Sequence, residues 1–548
     1  MPETESVDRP CVASDASVTV NYESGEGESA YEVRKNDLFG RYVVATRDLS
    51  PGDLVLREPA YVFGPKQNSL PCCLGCTLPL EDEEDVHRCS KCQYPLCSSE
   101  CEQRPEHQVE CPVLAAGGAK ARPVVEDFTK PAAYLEAVTV VRLLKLRDTD
   151  PARFERVMEM DSSPEHWPKS ELSGVFQHNV VNFLRTVCKV NADEQLLQRL
   201  GGILMTNAFE ARGRRLGSHV RCLFPEAGLL AHSCLPNVHH TIDHNFTIFL
   251  RAAEPVKKGA ILFTSYTHCL SGTLSRRLHL KHSKFFDCGC TRCADPTELG
   301  TNFSALRCCR CTKGCILPRD SLDAQSEWTC VECGYEVHPD NVRKLNTMLL
   351  HELDSLDNSD FIEHEMFIRK YSSLLHPNHY IIFDAKHRLS QMYGRTGDYQ
   401  LQELTELHLK RKIELCRDVL QLATRTAPGI ARLTGLTYYE LHAPLMVLAQ
   451  RQYARGAISR TEMEALLDEA SDNLEKAIGM LKYEPELSLE GKIHASALRS
   501  REELAALRGT VVDLPETGRG HLTPAHIDEL VGEFNAVLEL MDDYQWRV

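Results

Sequence analysis

Twenty-three cysteines in 548 residues, most of them clustered, constrain this chain more than any other feature of its sequence. Residues 1–30 are rich in Ser, Glu and Asp, are predicted to be disordered, and contain no secretory signal. No apolar run reaches the ~20 residues of a membrane span, so no membrane contact is expected. The expected location is the nucleus, the cytoplasm or both, where disulfides rarely persist. Clustered cysteines there indicate metal ligation if their spacing agrees.

The densest group of potential ligands lies between Cys73 and Cys111. It forms four closely spaced pairs: Cys73-x2-Cys76, Cys89-x2-Cys92, Cys97-x3-Cys101 and His107-x3-Cys111. Eight thiolate and imidazole ligands suit two closed, tetrahedral Zn2+ sites. A chain of about 40 residues with few apolar side chains cannot bury a sufficient core, so zinc would supply its folding free energy. Cys72 is an alternative to Cys73, which is preferred because it gives the Cys-x2-Cys step.

Two further groups have metal-ligand spacing. The first has three cysteines and needs a fourth ligand from elsewhere: Cys288, Cys290 and Cys293. The second has the spacing of a zinc ribbon: Cys308-x2-Cys311 and Cys330-x2-Cys333. A four-cysteine site has no open coordination position, so this zinc is predicted to be structural, and Cys309 and Cys315 are surplus. Three histidines lack partners at ligand spacing and are predicted to form a polar strand–turn surface: His239, His240 and His244.

Apolar periodicity predicts an α+β chain. Strands are predicted from Gly40 onward and again over Phe246–Leu250 and Ala260–Thr264, with a helical region at 112–200 between them. From about residue 340 the pattern becomes one of consecutive amphipathic helices.

The clearest of these helices is predicted over Thr461–Leu481, where apolar residues recur on one face. Ser459 with Glu462 three residues later forms a predicted capping box. The helices resemble paired antiparallel units of tetratricopeptide (TPR) type, and a plain helical bundle carries comparable weight.

The order of these motifs resembles the SET and MYND domain (SMYD) family of protein-lysine methyltransferases, in its divergent arthropod-type branch. The segment Gly40–Ala45 is similar to the first SET motif, and Leu229–Asn237 is similar to the Asn-His-Ser-Cys-x-Pro-Asn loop. Thr206–Phe209 and Gly259–Tyr266 resemble two SET strands. The cysteine-rich segment resembles a MYND finger inserted into the SET domain, an order characteristic of this family.

The resemblance implies a split, β-rich SET domain followed by a helical tail. The implied segments are 1–30, a disordered terminus; 31–70, the first SET part; 73–111, the MYND finger; 112–200, a helical insert; 201–267, the SET core; 268–296, the post-SET segment; 305–336, the zinc ribbon; and 337–548, the TPR-like helical domain.

The resemblance also implies how the ligands group around four zinc ions. In MYND fingers the pairs interleave, which gives one set of Cys73, Cys76, Cys97 and Cys101 and another of Cys89, Cys92, His107 and Cys111. The loop cysteine completes the post-SET set, which is then Cys234, Cys288, Cys290 and Cys293. The ribbon set is Cys308, Cys311, Cys330 and Cys333.

S-adenosylmethionine (SAM) is the implied cofactor, and a lysine-bearing protein or peptide, histone or non-histone, is the implied substrate. Tyr266 would be the catalytic residue: its hydroxyl would orient methyl and amine, and it would also contact SAM. Phe286 would pack against the adenine. The remaining implied cofactor contacts are Gly40, Arg41, Asn207 and His232.

The chain departs from the family pattern in four motifs. The loop asparagine is Ala231, a Glu-Glu pair is Ala260-Ile261, an aromatic residue two positions before Phe286 is Lys284, and a glycine of the first motif is Tyr42. Losing the asparagine amide removes one or two hydrogen bonds worth roughly 0.5–1.5 kcal/mol each. Ala231 and Ala260-Ile261 favour an alternative: a scaffold without turnover that recruits partners through the finger and the helical domain.

Partners follow from the resemblance and from charge. MYND fingers bind proline-rich peptides, and such partners are implied here, together with a role in transcriptional regulation and a monomeric state. The formal net charge of −16 and the acidic run Glu81–Asp85 argue against direct nucleic-acid binding. An acidic face on the helical domain is expected to attract basic, lysine-bearing peptides.

Overall fold

The computed structural model describes residues 29–66, 69–81, 86–125, 127–212, 219–395, 400–512 and 514–516. The predicted disordered segment lies outside these ranges except for Ser29 and Ala30, as does most of the acidic run Glu81–Asp85. The predicted helical tail is described as far as residue 516. Within the described ranges, every helix is too short or too polar to cross a bilayer.

Short strands build the first half of the chain and a small sheet near its middle. They are β1 (Tyr31–Asn36), β2 (Gly40–Ala45), β3 (Leu54–Pro59), β4 (Val62–Pro65), β5 (His87–Arg88), β6 (Pro95–Leu96), β7 (Phe209–Arg212), β8 (His219–Leu223), β9 (Ala231–His232), β10 (Val238–Ile242), β11 (Thr247–Ala252), β12 (Phe263–Thr264), β13 (Leu306–Arg307), β14 (Cys315–Pro318), β15 (Trp328–Cys330) and β16 (Glu336–Val337).

These strands pair into several small sheets rather than one large one. β1 and β2 form a hairpin, β3 pairs with β11 and β11 with β10, and β8 lies between β4 and β7, all antiparallel. β9 and β12 are parallel. The alternating apolar residues of these strands bury one shared core that includes Val33, Val43, Phe224, Ile248 and Leu250. Such sheets depend on this shared core, because an isolated two-stranded pair is marginal in water.

The strand predicted over Ala260–Thr264 is shorter than expected: β12 comprises only Phe263–Thr264, and Ile261 forms an isolated antiparallel bridge with Val44 of β2. The segment also bonds to the side chain of Asn237. Its amide nitrogen donates to the carbonyl oxygen of Ile261 at 2.9 Å, and its amide oxygen accepts from the backbone N–H of Phe263 at 2.7 Å. Asn237 is 3% exposed, so these bonds fasten its loop to the segment that leads to the strand β12.

The helices occupy the middle and the second half of the chain. They are α1 (Ser99–Glu102), α2 (Pro105–Ala116), α3 (Glu136–Thr149), α4 (Pro151–Met158), α5 (Glu171–Phe176), α6 (Glu194–Asn207), α7 (Thr273–Ser283), α8 (Thr291–Ala294), α9 (Pro339–Ser355), α10 (Phe361–Tyr371), α11 (Tyr380–Met392), α12 (Glu406–Thr426), α13 (Arg432–Ala454), α14 (Arg460–Leu481) and α15 (Leu489–Val511). α5 continues as a π-helical segment, Gln177–Val187.

One buried arginine joins the cysteine-rich segment to the helices that follow it. Arg142 on α3 donates to both carboxylate oxygens of Glu110 at 2.9 Å. It also donates to the carbonyl oxygens of Leu74 at 2.8 Å and Phe63 at 2.9 Å. A bidentate pair of this kind fixes geometry as well as charge. The segment is therefore anchored at once to α3 and to β4.

The C-terminal helices pack successively, α12 on α13, α13 on α14 and α14 on α15. The predicted helix Thr461–Leu481 is confirmed as α14, and the capping box of Ser459 and Glu462 is present in both directions. The buried face of α14 carries the predicted apolar positions Met463, Leu467, Ala470, Leu474, Ala477 and Leu481. The fold class is therefore mixed α and β with a helical C-terminal region, and the TPR-type repeat stays a prediction.

The predicted polar strand–turn surface holds at the turn, where His244 is exposed, but is wrong for His239 and His240, because the helical region contacts this strand. Glu484 lies 2.8 Å from the Nε2 atom of His239 and 2.8 Å from the Nε atom of Arg432. Arg432 also donates to the carbonyl oxygen of His240 at 2.7 Å. Burial lowers the pKa of His240 to about 3. Sequence spacing alone could not reveal a partner more than two hundred residues away.

We expect Glu484→Gln to destabilise the protein at neutral pH by up to about 3 kcal/mol. Burial raises the pKa of Glu484, but Arg432 and His239 outweigh it and lower the pKa to about 2. A depressed folded-state pKa stabilises above the unfolded value of 4.5, and this contribution is lost as pH falls toward 2. Urea unfolding at pH 7 and pH 3 measures it, with the exposed Glu486→Gln as control. An equal difference at both pH values would contradict this.

Candidate active site and metal centres

The structure brings the sixteen predicted ligands together into four groups. Within each group, the candidate ligand atoms lie within 4.8 Å of one another. The groups are Cys73, Cys76, Cys97 and Cys101; Cys89, Cys92, His107 and Cys111; Cys234, Cys288, Cys290 and Cys293; and Cys308, Cys311, Cys330 and Cys333. The pairs of the first segment interleave, as the resemblance implied. Cys72, Cys309 and Cys315 lie outside all four groups.

The spacing of the sulfur atoms fits tetrahedral zinc. Zn–S bonds of about 2.3 Å place two sulfur ligands about 3.8 Å apart. The observed Sγ–Sγ distances are Cys76–Cys97 3.4 Å, Cys89–Cys111 3.7 Å, Cys234–Cys293 3.5 Å, Cys308–Cys333 3.6 Å and Cys311–Cys330 3.7 Å. The donor sets, three of four thiolates and one of three thiolates with an imidazole, also suit closed zinc sites.

Buried arginines surround the Cys234 group. Arg276, 1% exposed, donates from Nε to the Sγ atom of Cys234 at 3.2 Å and from Nη2 to that of Cys293 at 3.5 Å. Glu298 pairs with Arg276 at 2.9 Å and with Arg292 at 3.1 Å. Two guanidinium groups and one carboxylate leave one net positive charge. Four thiolates around Zn2+ carry two negative charges, so this surplus stabilises a loaded site.

One imidazole connects this group to the predicted catalytic tyrosine. The backbone N–H of Tyr266 donates to the Nδ1 atom of His232 at 2.9 Å. Nδ1 is therefore the acceptor, and the proton of the neutral ring is on Nε2. Nε2 lies 3.4 Å from the Sγ atom of Cys234, where it donates to a thiolate. His232 is 7% exposed, so its ring position depends on both partners.

Tyr266 is held in the wall of a cleft. Its hydroxyl donates to the carbonyl oxygen of Leu230. Its ring centroid lies 5.2 Å from that of His232 and 6.4 Å from that of Phe286. Burial raises the pKa of Tyr266 to about 12, so the phenol stays protonated at neutral pH. The neutral hydroxyl can therefore donate and accept in the same site.

All six residues predicted to contact the cofactor line one cleft of about 2710 Å3: Gly40, Arg41, Asn207, His232, Tyr266 and Phe286. Gly40 has a φ of +64°, which a side chain rarely adopts, and a Cβ there would meet nothing within 4 Å. Arg41 lies 3.7 Å from a carboxylate oxygen of Glu159. The amide nitrogen of Asn207 is already bonded to the carbonyl oxygens of Asp161 and Ile203, which leaves its amide oxygen for a ligand.

The opposite wall of the cleft is not the acidic face expected from the net charge. The C-terminal helices contribute three carboxylates and three arginines to the lining, which are Asp354, Asp384, Glu490, Arg388, Arg395 and Arg432. Each arginine is paired with a carboxylate. The net charge of the whole chain therefore does not describe this wall, because paired charges cancel locally.

Sequence reasoning missed the arrangement around Lys284. The Nζ atom of Lys284 lies 5.8 Å from the ring centroid of Tyr266. Phe285 has a φ of +62°, an uncommon value for a residue with a side chain, and its ring stacks on His166 at 6.1 Å. The signal in the sequence for this arrangement was Lys284 itself, which stands where the family has an aromatic residue.

We expect the protein purified with zinc to contain four zinc ions per chain. Cys76→Ser removes one thiolate of a closed four-ligand site and is expected to lower the content to three. Cys72→Ser is the matched control, because Cys72 belongs to none of the four ligand groups although its neighbour Cys73 does. Plasma mass spectrometry after dialysis measures the ratio. A content of four in the Cys76→Ser protein, or of three in the control, would contradict the grouping.

These features define a SET domain protein, and residues 40–267 match the SET domain family model. The SET domain-containing protein SmydA-8, isoform A, of Drosophila melanogaster is 31% identical over 368 residues, which cover 65% of this chain and 76% of that protein. The chain therefore belongs to the SMYD family, on its arthropod-like side, and the predicted resemblance is confirmed.

Two more distant similarities complete the comparison. The N-lysine methyltransferase SMYD2-B of Xenopus laevis is 28% identical over 275 residues, which cover 47% of this chain and 60% of that protein. The solved structure of Rubisco LSMT bound to AdoMet aligns with 92% of this chain and 95% of that chain, at 12% identity and a TM-score of 0.27. That score is too low to bear on function.

Proposed function

We propose that this protein is a SAM-dependent protein-lysine N-methyltransferase. The observation that carries the proposal is the neutral phenol of Tyr266, held by the carbonyl oxygen of Leu230 beside Phe286 and His232 in one cleft. A similar protein that is named an N-lysine methyltransferase supports the same reaction. The chemistry needs no metal at the reacting atoms, which agrees with four closed ligand groups at other positions.

SAM supplies a methyl group on a sulfonium sulfur when bound. The residues of the cleft fit such a ligand: Phe286 offers a ring for the adenine, Gly40 leaves space at the start of β2, and the amide oxygen of Asn207 accepts no hydrogen bond from the described residues. Ala231 has no side-chain amide, so cofactor binding relies on the other contacts of the cleft.

The same walls prepare a lysine side chain for attack. The amine has a pKa of about 10.4 in water and is nucleophilic only after it loses its proton and its water shell. Phe39, Phe209 and Phe263 line the cleft and make part of it apolar, which disfavours the charged form of the amine. The hydroxyl of Tyr266 orients the amine lone pair toward the methyl group.

The zinc groups are proposed to order the parts around this cleft. The Cys234 group is proposed as the post-SET zinc site, which ties residues 288–293 to the loop that carries His232. The groups between Cys73 and Cys111 are proposed as a MYND finger that takes proline-rich peptides, and the group between Cys308 and Cys333 as a structural ribbon. The proposed substrates are histone or non-histone proteins, with a role in transcriptional regulation as a monomer in the nucleus or the cytoplasm.

A SAM titration of zinc-loaded protein by calorimetry tests the proposal. The expected result is saturable binding with one site per chain, followed by transfer of a radiolabelled methyl group to a lysine peptide array. Absence of binding at millimolar SAM would overturn it.

One observation favours a second candidate, a partner-recruiting scaffold without turnover: Ala231 replaces the loop asparagine. In that case Cys97→Ser abolishes capture of partners while Tyr266→Phe changes nothing measurable.

A further inference from the structure

Seven lysine and arginine side chains line the cleft, and six of them are paired with a carboxylate of the protein itself. Each of these six has a carboxylate oxygen within ion-pair distance: Arg41, Lys66, Arg276, Arg388, Arg395 and Arg432. The seventh is Lys284. Among the described residues, no carboxylate lies within 4.0 Å of its Nζ atom, so it is the one cation of the cleft lining without a counterion.

Lys284 is held in place by neutral groups. Its Nζ atom donates to the carbonyl oxygens of Met205 at 3.0 Å and Thr206 at 2.9 Å, and it lies over the ring of Tyr266. Burial lowers its pKa to about 8. The nearby titratable group is His279, whose pKa is lowered by burial and then by Lys284 itself. In the part of the chain that the structure describes, desolvation by burial has no carboxylate contact to offset it at this ammonium.

The backbone keeps Lys284 in the cleft at some cost. Phe285 adopts a left-handed φ, and around this turn Lys284, Phe285 and Phe286 all line the cleft, with the Phe285 ring stacked on His166. Strained backbone persists only where the surrounding structure enforces it, and it concentrates at ligand sites. A half-buried cation without a counterion is likewise unfavourable unless a ligand supplies an anion.

We propose that Lys284 binds the carboxylate of the methionine part of SAM. This inference rests on the proposed function, because SAM is the ligand that brings a carboxylate into this cleft. Lys284 neighbours Asn207 through the carbonyl oxygen of Thr206, and it neighbours Tyr266 directly. The negative charge of the carboxylate compensates the positive charge of the Lys284 ammonium. This ion pair fixes the methionine end of SAM in the cleft. Lys284 is then a cofactor-binding residue. The aromatic residue that the family has at this position could not form an ion pair with a carboxylate.

Binding of two ligands to three proteins tests the assignment. The ligands are SAM and decarboxylated SAM, and the proteins are the wild type, Lys284→Met and Lys284→Arg. Lys284→Met is expected to weaken SAM binding at least tenfold and to leave the affinity for decarboxylated SAM within about twofold. Lys284→Arg should retain most of the SAM affinity, because the guanidinium also pairs with a carboxylate. Lys281→Met, in the last turn of the helix α7 that precedes Lys284 and outside the cleft, is the matched control.

Several results would overturn the inference. An equal loss of both ligands in Lys284→Met would mean that the side chain only supports the fold, and no loss of either would mean that it does not contact SAM. A methyl group found on Lys284 by mass spectrometry after incubation with SAM would identify it as an acceptor instead. If the wild type binds decarboxylated SAM and SAM equally well, the carboxylate has no partner. Absence of SAM binding by the wild type overturns the proposed function itself.

Discussion

Tyr266→Phe is expected to lower the rate of methyl transfer by about 10²- to 10³-fold while SAM affinity stays within a few fold. The phenylalanine ring still packs against His232 and Phe286, so the cofactor cleft keeps its shape. The lost group is the hydroxyl that donates to the carbonyl oxygen of Leu230. Under the proposed function that group acts on the reacting atoms, so its removal is expected to affect the transition state more than the bound ground state.

Single-turnover rates with radiolabelled SAM and a lysine peptide measure the effect, and calorimetry measures affinity separately. Tyr438→Phe is the matched control, because it removes the hydroxyl of a tyrosine on α13 that does not line the cleft. Equal rates for wild type and Tyr266→Phe would exclude this phenol from catalysis. A parallel loss of rate and affinity would instead indicate a collapsed cleft.

Cys234→Ser is expected to release one zinc ion and to weaken SAM binding at least tenfold. A serine hydroxyl is a poor substitute for a thiolate at a closed zinc site. The loss reaches the cleft because Cys234 accepts from Nε2 of His232, whose Nδ1 receives the backbone N–H of Tyr266. It also removes one thiolate from beside Arg276, so the surplus positive charge of Arg276, Arg292 and Glu298 is compensated less well.

Cys308→Ser is the informative comparison for this variant. It also removes a thiolate and one expected zinc ion, but its group belongs to the small sheet of β13 to β16 rather than to the cleft. SAM affinity should therefore stay near the wild-type value, and both proteins should contain three zinc ions. If both variants lose SAM binding equally, the link through His232 is not the cause.

The metal groups were predictable from the sequence because short-range spacing largely determines them. Pairs such as Cys73 with Cys76 can meet in one turn, so their proximity follows from the chain itself. The grouping of pairs is a tertiary property, and it was available only through the resemblance to a family. The capping box of Ser459 and Glu462 is local in the same sense and could be read directly.

The features that sequence reasoning missed are long-range contacts. The side chain of Asn237 bonds to the backbone of Ile261 and Phe263, which no periodicity of the segment Ala260–Thr264 reveals. The sequence predicts His239 to be a surface residue, but in the structure its ring contacts the buried carboxylate of Glu484. Lys284 was visible as a departure from the family pattern, but its lack of a counterion depends on which side chains fold around it.

The order of the strands has a consequence for synthesis of the protein. β3 ends at Pro59, whereas its partner β11 does not begin until Thr247. The nascent chain therefore exposes an unpaired strand edge while the cysteine-rich segment, with its short loops, can already bind zinc. Exposed edges promote association between chains. A chain arrested before residue 247 contains the zinc segment but lacks β11, so β3 cannot pair with it. The yield of native protein should therefore depend on what shields β3 while the chain is on the ribosome.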